Sequence, residues 1–333
     1  MAHGIPVPGI LNHLALAANR GVPLPTDRET CAHLELCRSW GFGVQIREGR
    51  VFLPFDSGTL VPVWIENETP RICWDPIVVQ GFLETGSTND EALRRAREGA
   101  AGGLVIYAEK QTEGRGRKAR RWESPPGVGL YFSIVVRPSQ PVSCWPILTH
   151  VAGVALAHAV EELTAAQALS RSLVVDLKWP NDLMVSGKKA AGILLETTGG
   201  AGGPFGAVVG VGINVGPESF PEVLRDRAIS LSEAGVLVPR RRLLVRFLSL
   251  FQEGFSLFER GEYGKILEQW KRHSTMWDAV PVWVEDGAGS RPAVTCGLTE
   301  QGALRIRNED GSIETLMAAD VSVRTGRRGG MES

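Results

Sequence analysis

The chain of 333 residues lacks features that mark whole classes of protein. Its five cysteines form no Cys-x-x-Cys pair, so the sequence indicates neither a zinc site nor a disulfide framework. A reducing cytoplasm is therefore the expected compartment. We find no apolar run near the roughly 18–20 residues of a membrane span, and no basic start of a signal peptide. The net charge of −1 argues against a chain-wide polyanion-binding surface. These absences predict a globular cytoplasmic protein.

Against this neutral background, the segment 113–122 (EGRGRKARRW) concentrates positive charge. Glycines such as Gly116 let backbone amides approach a ligand, and Trp122 can stack on a flat ring. Arginine side chains present planar forks that match phosphate or carboxylate oxygens. The cations of the segment are Arg115, Arg117, Lys118, Arg120 and Arg121. A local cationic site favours a small phosphate ligand over a long nucleic acid, and a solvated basic loop is the alternative.

Four further short segments place polar residues or glycines where a ligand can meet the backbone. Each also has a plain structural explanation: GSTN as a helix cap, KWPND as a turn, KKAAG as a lysine facing solvent and GVGIN as a β-bulge. The segments are GSTN (86–89), KWPND (178–182), KKAAG (188–192) and GVGIN (210–214).

The apolar periodicity predicts a central region built of both helices and strands. The pattern of apolar and turn residues differs in the regions on either side of it. A predicted helix over 87–99 carries a capping box formed by Thr88 and Glu91. The glycine-rich residues 198–206 are predicted to form a hairpin loop. Other predicted helices cover 8–18, 27–39, 144–166, 239–259 and 264–272. Predicted strands cover 43–54 (a pair), 60–65, 103–110, 130–138, 173–179, 191–197 and 207–215. Residues 280–324 read as five short strands with tight turns, which is typical of a small β-barrel.

The six histidines show no metal-ligand spacing, apart from His150 and His158, two turns apart on one predicted helix. We interpret that pair as a feature of the helix surface rather than as a metal site.

Taken in order, these segments resemble the biotin protein ligases over about residues 78–325. The resemblance implies an α+β fold, with a mixed-sheet catalytic domain of the class II aminoacyl-tRNA synthetase or biotin–lipoate ligase type. A C-terminal SH3-like β-barrel and a small winged-helix remnant at the N-terminus accompany it. The implied ranges are 1–70 (truncated winged helix), 71–278 (catalytic), 279–325 (barrel) and 326–333 (tail).

The resemblance also implies an ATP-dependent, AMP-forming reaction in two steps. Biotin and ATP with Mg²⁺ give biotinyl-5′-AMP, and a lysine of an apo biotin carboxyl carrier protein then takes the biotin. The implied catalytic residues are Arg117, Lys178, Asp182 and Lys189. The implied biotin-binding residues are Ser87, Thr88, Asn89, Gln111, Arg115, Gly116, Arg117, Lys189 and Gly192. The implied ATP or adenylate contacts are Arg115, Arg117, Lys118, Arg120, Arg121, Trp122, Asn181, Asn214 and Arg324, with Asn181 and Asn214 near Mg²⁺.

One position departs from the family pattern, since Ala119 stands where the basic loop usually has glycine. A methyl group matters there only if the residue needs a positive φ.

The region before residue 70 bears on whether the protein also represses genes, as some biotin protein ligases do. Only four residues, two of them proline, separate the first predicted helix from Thr26, too few for the second helix of a helix-turn-helix. Acidic residues also outnumber basic ones in the candidate recognition helix over 26–40. We therefore expect no DNA binding. A lipoate–protein ligase, a biotin-sensing repressor and an inactive binding protein are the alternatives, and a homodimer stays open.

Overall fold

The computed structural model describes most of the chain from residue 77 onward and three short strands before it. The described residues are 45–47, 50–52, 62–64, 77–165, 173–200, 203–217, 220, 222–286, 289–317 and 322–325. The helices predicted over 8–18 and 27–39 lie outside these ranges. The strand pair predicted over 43–54 is confirmed, because β1 (Gln45–Arg47) and β2 (Arg50–Phe52) pair antiparallel.

The remaining elements alternate between strands and helices before a run of strands ends the described chain. In chain order they are β3 (Pro62–Trp64), β4 (Val78–Thr85), α1 (Thr88–Arg97), β5 (Leu104–Gln111), β6 (Gly129–Val136), α2 (Ile147–Ala165), β7 (Val175–Lys178), β8 (Asp182–Val185), β9 (Lys188–Gly200), β10 (Gly203–Asn214), α3 (Arg240–Glu259), α4 (Tyr263–Arg272), β11 (Asp278–Asp286), β12 (Gly289–Leu298), β13 (Leu304–Arg307), β14 (Ile313–Leu316) and β15 (Ser322–Thr325).

Among the described residues, the main sheet has eight strands in the order β3-β4-β5-β6-β10-β9-β8-β7. Strands β4 and β5 are parallel and every other pair is antiparallel, so the sheet is mixed. A parallel pair needs a crossover, and α1 supplies it. The predicted mixed α+β architecture is therefore confirmed.

Helices cover both faces of this sheet. On one face, Ala92, Leu93 and Ala96 of α1 pack on strand residues that include Ile106 and Val135. On the other face, α2 and α3 close a larger apolar core. All eight residues of β6 are buried, as expected for a strand covered on both sides.

The segment Val142–Ala165, which contains α2, is long and apolar enough to cross a membrane. The expectation that no apolar run approaches that length is therefore wrong on length and composition. However, 67% of its most apolar window is buried inside the structure. Helix α2 packs against α3, α4 and the sheet, so we interpret it as the central helix of the core.

The C-terminal strands form a separate antiparallel sheet in the order β14-β13-β12-β11-β15. The prediction of five strands over 280–324 is confirmed. The turn before β13 contains Gly302, with φ +77°, and touches the turn between β7 and β8. The Trp179 indole N–H donates to the Gly302 carbonyl at 3.1 Å.

Three local predictions are wrong. Ser87, not Thr88, is the N-cap of α1, and no side-chain capping hydrogen bond forms among the described residues. Residues 198–200 and 203–206 belong to strands rather than to a loop, because β9 and β10 stay paired out to Gly200 and Gly203; residues 201 and 202 lie outside the described ranges. His150 is not on the helix surface: it is 3% exposed and packs against Trp270.

Candidate functional site

A cavity of about 620 Å³ opens where the N-terminus of α1, the loop after β5, the β7–β8 turn and strands β9 and β10 meet. Its volume is within the range of small-molecule sites. The predicted site residues that line it are Ser87, Thr88, Asn89, Gln111, Arg115, Gly116, Arg117, Lys118, Arg120, Arg121, Trp122, Lys178, Asn181, Asp182, Lys189, Gly192 and Asn214. The side chain of Arg324 lies outside the described part of the chain, although its neighbour Val323 lines the cavity.

The basic loop between β5 and β6 folds back on itself. The Trp122 amide donates to the Gly114 carbonyl at 2.9 Å, and the Gly116 amide donates to the Arg120 carbonyl at 2.7 Å. A Cβ at Gly114 would lie 2.4 Å from the Trp122 carbonyl oxygen, so only glycine fits this crossing. These contacts give the basic loop a defined, hairpin-like shape, which the alternative of a solvated loop did not predict.

The tip of this loop has a left-handed backbone. Lys118 and Ala119 have φ of +57° and +54°, a region that side chains with a Cβ disfavour by roughly 1–2 kcal/mol per residue. The departure at Ala119 therefore falls at a position that does require positive φ. The alanine strains the loop in this conformation.

Arg117 points from the loop to the β7–β8 turn. Its Nη1 donates to Asn181 Oδ1 at 3.1 Å, while Asn181 Nδ2 donates to the Ile193 carbonyl at 2.7 Å. Burial lowers the pKa of Arg117, and Arg120 lowers it further, against an opposing effect of Asp182. A guanidinium stays charged in proteins, so the cavity wall carries a poorly hydrated cation.

Arg115 is held by two carboxylates at the cavity rim. Its Nη2 lies 2.6 Å from Asp90 Oδ1 and 3.2 Å from Glu196 Oε2. Burial opposes the charged form, but Glu196 and Asp90 more than compensate and raise the pKa of Arg115. These ion pairs connect the loop to α1 and β9, so in this arrangement Arg115 anchors the loop.

The N-terminus of α1 is the polar end of the cavity. Gln111 Oε1 accepts from the Thr88 amide at 2.8 Å and from the Thr88 hydroxyl at 3.1 Å. Ser133 Oγ donates to Asn89 Oδ1 at 2.5 Å and lies 2.8 Å from Thr88 Oγ1. Ser87, Thr88 and Asn89 are each 4% exposed. The network fixes the buried side chains of Thr88 and Asn89 in a helix end that presents backbone amides.

An ion pair joins the two lysine-bearing segments. Lys189 Nζ lies 2.6 Å from Asp182 Oδ1, outside hydrogen-bond angles, and 5.3 Å from the centroid of the Trp122 ring. Lys178 ends β7 beside them and lines the cavity. Two ammonium groups thus accompany one carboxylate at the centre of the site.

The glycines of β10 allow side chains to approach the strand closely. A Cβ at Gly210 would lie 1.9 Å from Asn89 Oδ1, and one at Gly212 would lie 2.7 Å from the Trp122 ring. Across the pairing, a Cβ at Gly192 would lie 3.1 Å from the same ring. The register shift between β9 and β10 falls at Pro204 and Gly206 instead. Close approach, not a bulge, therefore explains GVGIN.

The two asparagines predicted near Mg²⁺ are engaged with the protein. Asn181 uses its oxygen on Arg117, and Asn214 Nδ2 lies 3.3 Å from the Ile229 carbonyl and 3.5 Å from that of Lys189. Mg²⁺ prefers carboxylates and phosphates and keeps its waters. Asn181 therefore does not fit as a direct Mg²⁺ ligand in this arrangement.

Sequence reasoning missed one wall of the cavity. Residues 222–228, together with Phe220, form this wall beside β9, where the Lys189 amide donates to the Arg227 carbonyl at 2.8 Å and Ala228 forms a parallel bridge with Lys189. The side chains of this wall that line the cavity are Phe220, Leu224, Arg227 and Ala228. No motif marks the segment. Glu196 was also missed, although a lone carboxylate in the apolar strand AGILLET was a usable signal.

Comparison with known proteins gives one family. Residues 84–214 match the model of the Biotin/lipoate A/B protein ligase family. The chain is 33% identical over 301 residues to the Bifunctional ligase/repressor BirA of Escherichia coli, covering 89% of this chain and 88% of that protein. It is 40% identical over 168 residues to the Biotin--[acetyl-CoA-carboxylase] ligase of Mycobacterium tuberculosis, covering 50% of this chain and 59% of that protein.

A solved structure has the same fold. The biotin protein ligase of Aquifex aeolicus in complex with biotin and ATP aligns with a TM-score of 0.62 at 28% identity. The alignment covers 74% of this chain and 99% of the Aquifex chain.

Proposed function

We propose that this protein catalyses the ATP-dependent biotinylation of a carrier protein. The chain belongs to the Biotin/lipoate A/B protein ligase family, and within that family to the biotin protein ligases. In the first step, a carboxylate oxygen of biotin attacks the α-phosphorus of ATP, pyrophosphate leaves, and biotinyl-5′-AMP forms. In the second step, a lysine amine of the carrier attacks the biotinyl carbonyl, and AMP leaves as the amine loses a proton.

The observation that carries this proposal is the convergence of five separate segments on one cavity. Biotin has an uncharged polar ring at one end and a carboxylate at the other. The cavity offers a buried neutral polar network at the α1 end, and Arg117, Lys178 and Lys189 in its other walls. This pattern matches a ligand that is neutral at one end and gains negative charge at the other.

At the neutral end, we assign the ureido ring of biotin to Ser87, Thr88, Asn89 and Gln111. The polar groups of Thr88, Asn89 and Gln111 already have fixed directions, which lowers the entropic cost of binding. Gly116 and Gly192 would allow the ligand near the backbone, and Trp122 would pack beside it.

At the charged end, Arg117 and Lys189 would stabilise the carboxylate and the negative charge that develops on the phosphate. Preorganised cations in a site from which water is excluded do this best. Lys178 and Asp182 would position the incoming amine. Arg115 anchors the loop and would contact the ligand only by leaving its carboxylates.

The nucleotide would extend along the remaining basic residues of the loop toward the C-terminal sheet. Those assigned to it are Lys118, Arg120, Arg121, Asn214 and Arg324. Mg²⁺ is expected to arrive with the triphosphate, because it binds mainly through phosphate oxygens and water in such sites.

We carry the domain ranges forward as part of the proposal: 1–70, 71–278, 279–325 and 326–333. Strand β3, within the first range, contributes an edge to the catalytic sheet. The five C-terminal strands support an SH3-like barrel, and the β1–β2 hairpin supports the wing of a winged-helix remnant. A cytoplasmic location and a carrier protein as partner follow from the proposed reaction, and a homodimer is compatible with it.

The test is to mix purified protein with biotin, ATP, Mg²⁺ and an apo carboxyl carrier domain, and to follow the mass of the carrier. Arg117→Ala and Lys189→Ala should lose or slow the gain of one biotin. Arg260→Ala and Lys265→Ala are matched controls, since both side chains are largely exposed and neither lines the cavity. A gain with lipoate but not biotin would identify a lipoate ligase. No gain with either would leave a binding protein.

We further propose that the protein does not act as a repressor, although the Escherichia coli relative is named a ligase and repressor. The support is the short linker before Thr26 and the acidic balance of residues 26–40. Tight, salt-sensitive, sequence-specific binding in a gel-shift assay with the promoter of the chain's own operon would contradict this.

A further inference from the structure

Away from the cavity, helix α2 and the end of α4 bring together three residues that are typical metal ligands. His158 and Glu161 are three residues apart on α2 and so share a face of the helix. His273 is the C-cap of α4. One ligand atom from each of the three lies within 4.8 Å of the other two. None of the three lines the cavity.

The hydrogen bonds of His273 leave an unusual contact. Its Nδ1 lies 3.0 Å from the Gln269 carbonyl oxygen, which can only accept, so Nδ1 carries the proton. In a neutral ring Nε2 then has a lone pair, yet Nε2 lies 3.1 Å from Glu161 Oε2, another acceptor. Two facing acceptors need a cation, which is either a second proton on the ring or a metal ion bound by both.

Two observations favour the metal ion. A ring nitrogen bonded to a carbonyl is the usual arrangement of metal-ligating histidines, because it sets the tautomer and aims the other nitrogen at the metal. The ring of His158 also lies beside that of His273, with centroids 4.8 Å apart. A second imidazole beside the first supplies the proposed ion with a further good metal ligand.

The charges around the cluster are compatible with a cation. Arg246 is a fixed positive charge close to His158, and it pairs with Glu162, at 2.7 Å between Nη2 and Oε1, which leaves Glu161 for the ion.

We propose that His158, Glu161 and His273 bind a divalent transition-metal ion, best matched by Zn²⁺, that connects α2 to the end of α4. Two imidazoles and one carboxylate with an open fourth position for water form a tetrahedral set that suits Zn²⁺. The role is structural and separate from the proposed ligase reaction.

The test uses full-length, tag-free protein stripped with EDTA and titrated with Zn²⁺ by calorimetry and with Co²⁺ by visible absorption. We expect one ion per chain, a tetrahedral Co²⁺ spectrum and a Zn²⁺-dependent rise in melting temperature. His158→Ala, His273→Ala and Glu161→Gln should each weaken binding at least about tenfold, since outer ligand partners alone are worth about 10–100-fold. Glu98→Gln is the matched control: its side chain is 54% exposed, it lies at the C-terminal end of α1 on the opposite face of the main sheet, and the variant should bind Zn²⁺ like the wild type.

Carrier biotinylation verifies that each variant is folded and should be unchanged in all four. Equal Zn²⁺ affinity in the wild type and the three ligand variants would overturn the proposal and place the ion elsewhere. Wild-type binding weaker than about 1 mM would also overturn it, because a proton would then satisfy the facing acceptors.

Discussion

His150 is a buried residue whose titration should limit stability in acid. Its ring packs against Trp270, and burial lowers its pKa to about 4, with the carbonyls of Pro146 and Gly302 offsetting only part of the effect. The unfolded chain therefore binds this proton more readily than the folded chain between pH 6.5 and 4. We expect stability to be unaffected by His150 above pH 6.5 and to fall by about 2 kcal/mol at pH 5, measured by urea unfolding.

The control for this prediction is His150→Phe, which keeps a ring in the same place and removes the titrating group. The variant should show a flatter fall in stability from pH 7 to pH 5. His158, whose pKa burial also lowers, will leave a residual slope in both proteins. An unchanged slope in the variant would mean that another group controls acid stability.

Ala119 allows a second prediction at this scale. Ala119 has a φ of +54°, which glycine adopts more easily than alanine. Ala119→Gly should therefore favour the closed, hairpin-like conformation of the loop over an open one by about 1 kcal/mol, or about fivefold in their ratio. Trypsin cuts after the arginines and lysine of the loop when it opens, so Ala119→Gly should slow cleavage by that factor. Ala119→Val should speed it, because a β-branched residue fits positive φ poorly. Equal rates in all three proteins would contradict the left-handed conformation.

At the scale of one element, the position of α1 depends on its buried N-terminus. Thr88→Val removes the hydroxyl that donates to Gln111 and faces Ser133. Leaving such partners unpaired costs about 1–3 kcal/mol, and the loosened helix end should raise the KM for biotin more than it lowers kcat. Urea unfolding and initial rates of biotinylation measure the two effects. Thr112→Val, at an exposed position just beyond β5, should change neither, and an equal loss there would contradict the argument.

At the scale of the whole molecule, one turn of the C-terminal sheet contacts the catalytic region. A Cβ at Gly302 would lie 2.8 Å from the His150 ring, whereas a Cβ at Gly311 would have no atom within 4 Å among the described residues. Both glycines have positive φ, so Gly311→Ala should cost only about 1 kcal/mol of strain. Gly302→Ala should cost about 1–3 kcal/mol more from overpacking, measured by thermal unfolding.

The same substitution should also affect catalysis. Trp179 donates to Gly302 from the turn that carries Lys178 and Asp182, so displacing Gly302 should slow biotinylation. Gly311→Ala should leave the rate unchanged. If both variants were equally stable and active, the turn would not connect the two regions.

Local signals were enough to predict much of this molecule. The loop 113–122 and the segments around Asp182 and Lys189 stood out as candidates because glycines, cations and strand ends are visible in a short window, while the roles of Asp182 and Lys189 came from the resemblance to the biotin protein ligases. Contacts between distant segments were not. Glu196 meets Arg115 across 81 positions, and His273 meets Glu161 across 112; only the folded sheet and the helix packing bring these pairs together.

The capping box failed for a related reason. Thr88 and Glu91 have the correct spacing, but Gln111 binds Thr88, while Arg94 and Arg95 pair with Glu91. A tertiary partner took the place of the capping bond for Thr88, and two arginines of the same helix did so for Glu91.

The space above Gly210 has a consequence for how this site can change by mutation. Asn89 fills the volume where a side chain at 210 would stand, at 1.9 Å from its Cβ. Any single replacement at 210 collides with Asn89, while shrinking Asn89 alone leaves a gap beside Ser133 and Glu196. In evolution or in laboratory selection, a functional change of the residues at 89 and 210 would therefore require substitutions at both positions. A library aimed at altered acid specificity should randomise both codons together.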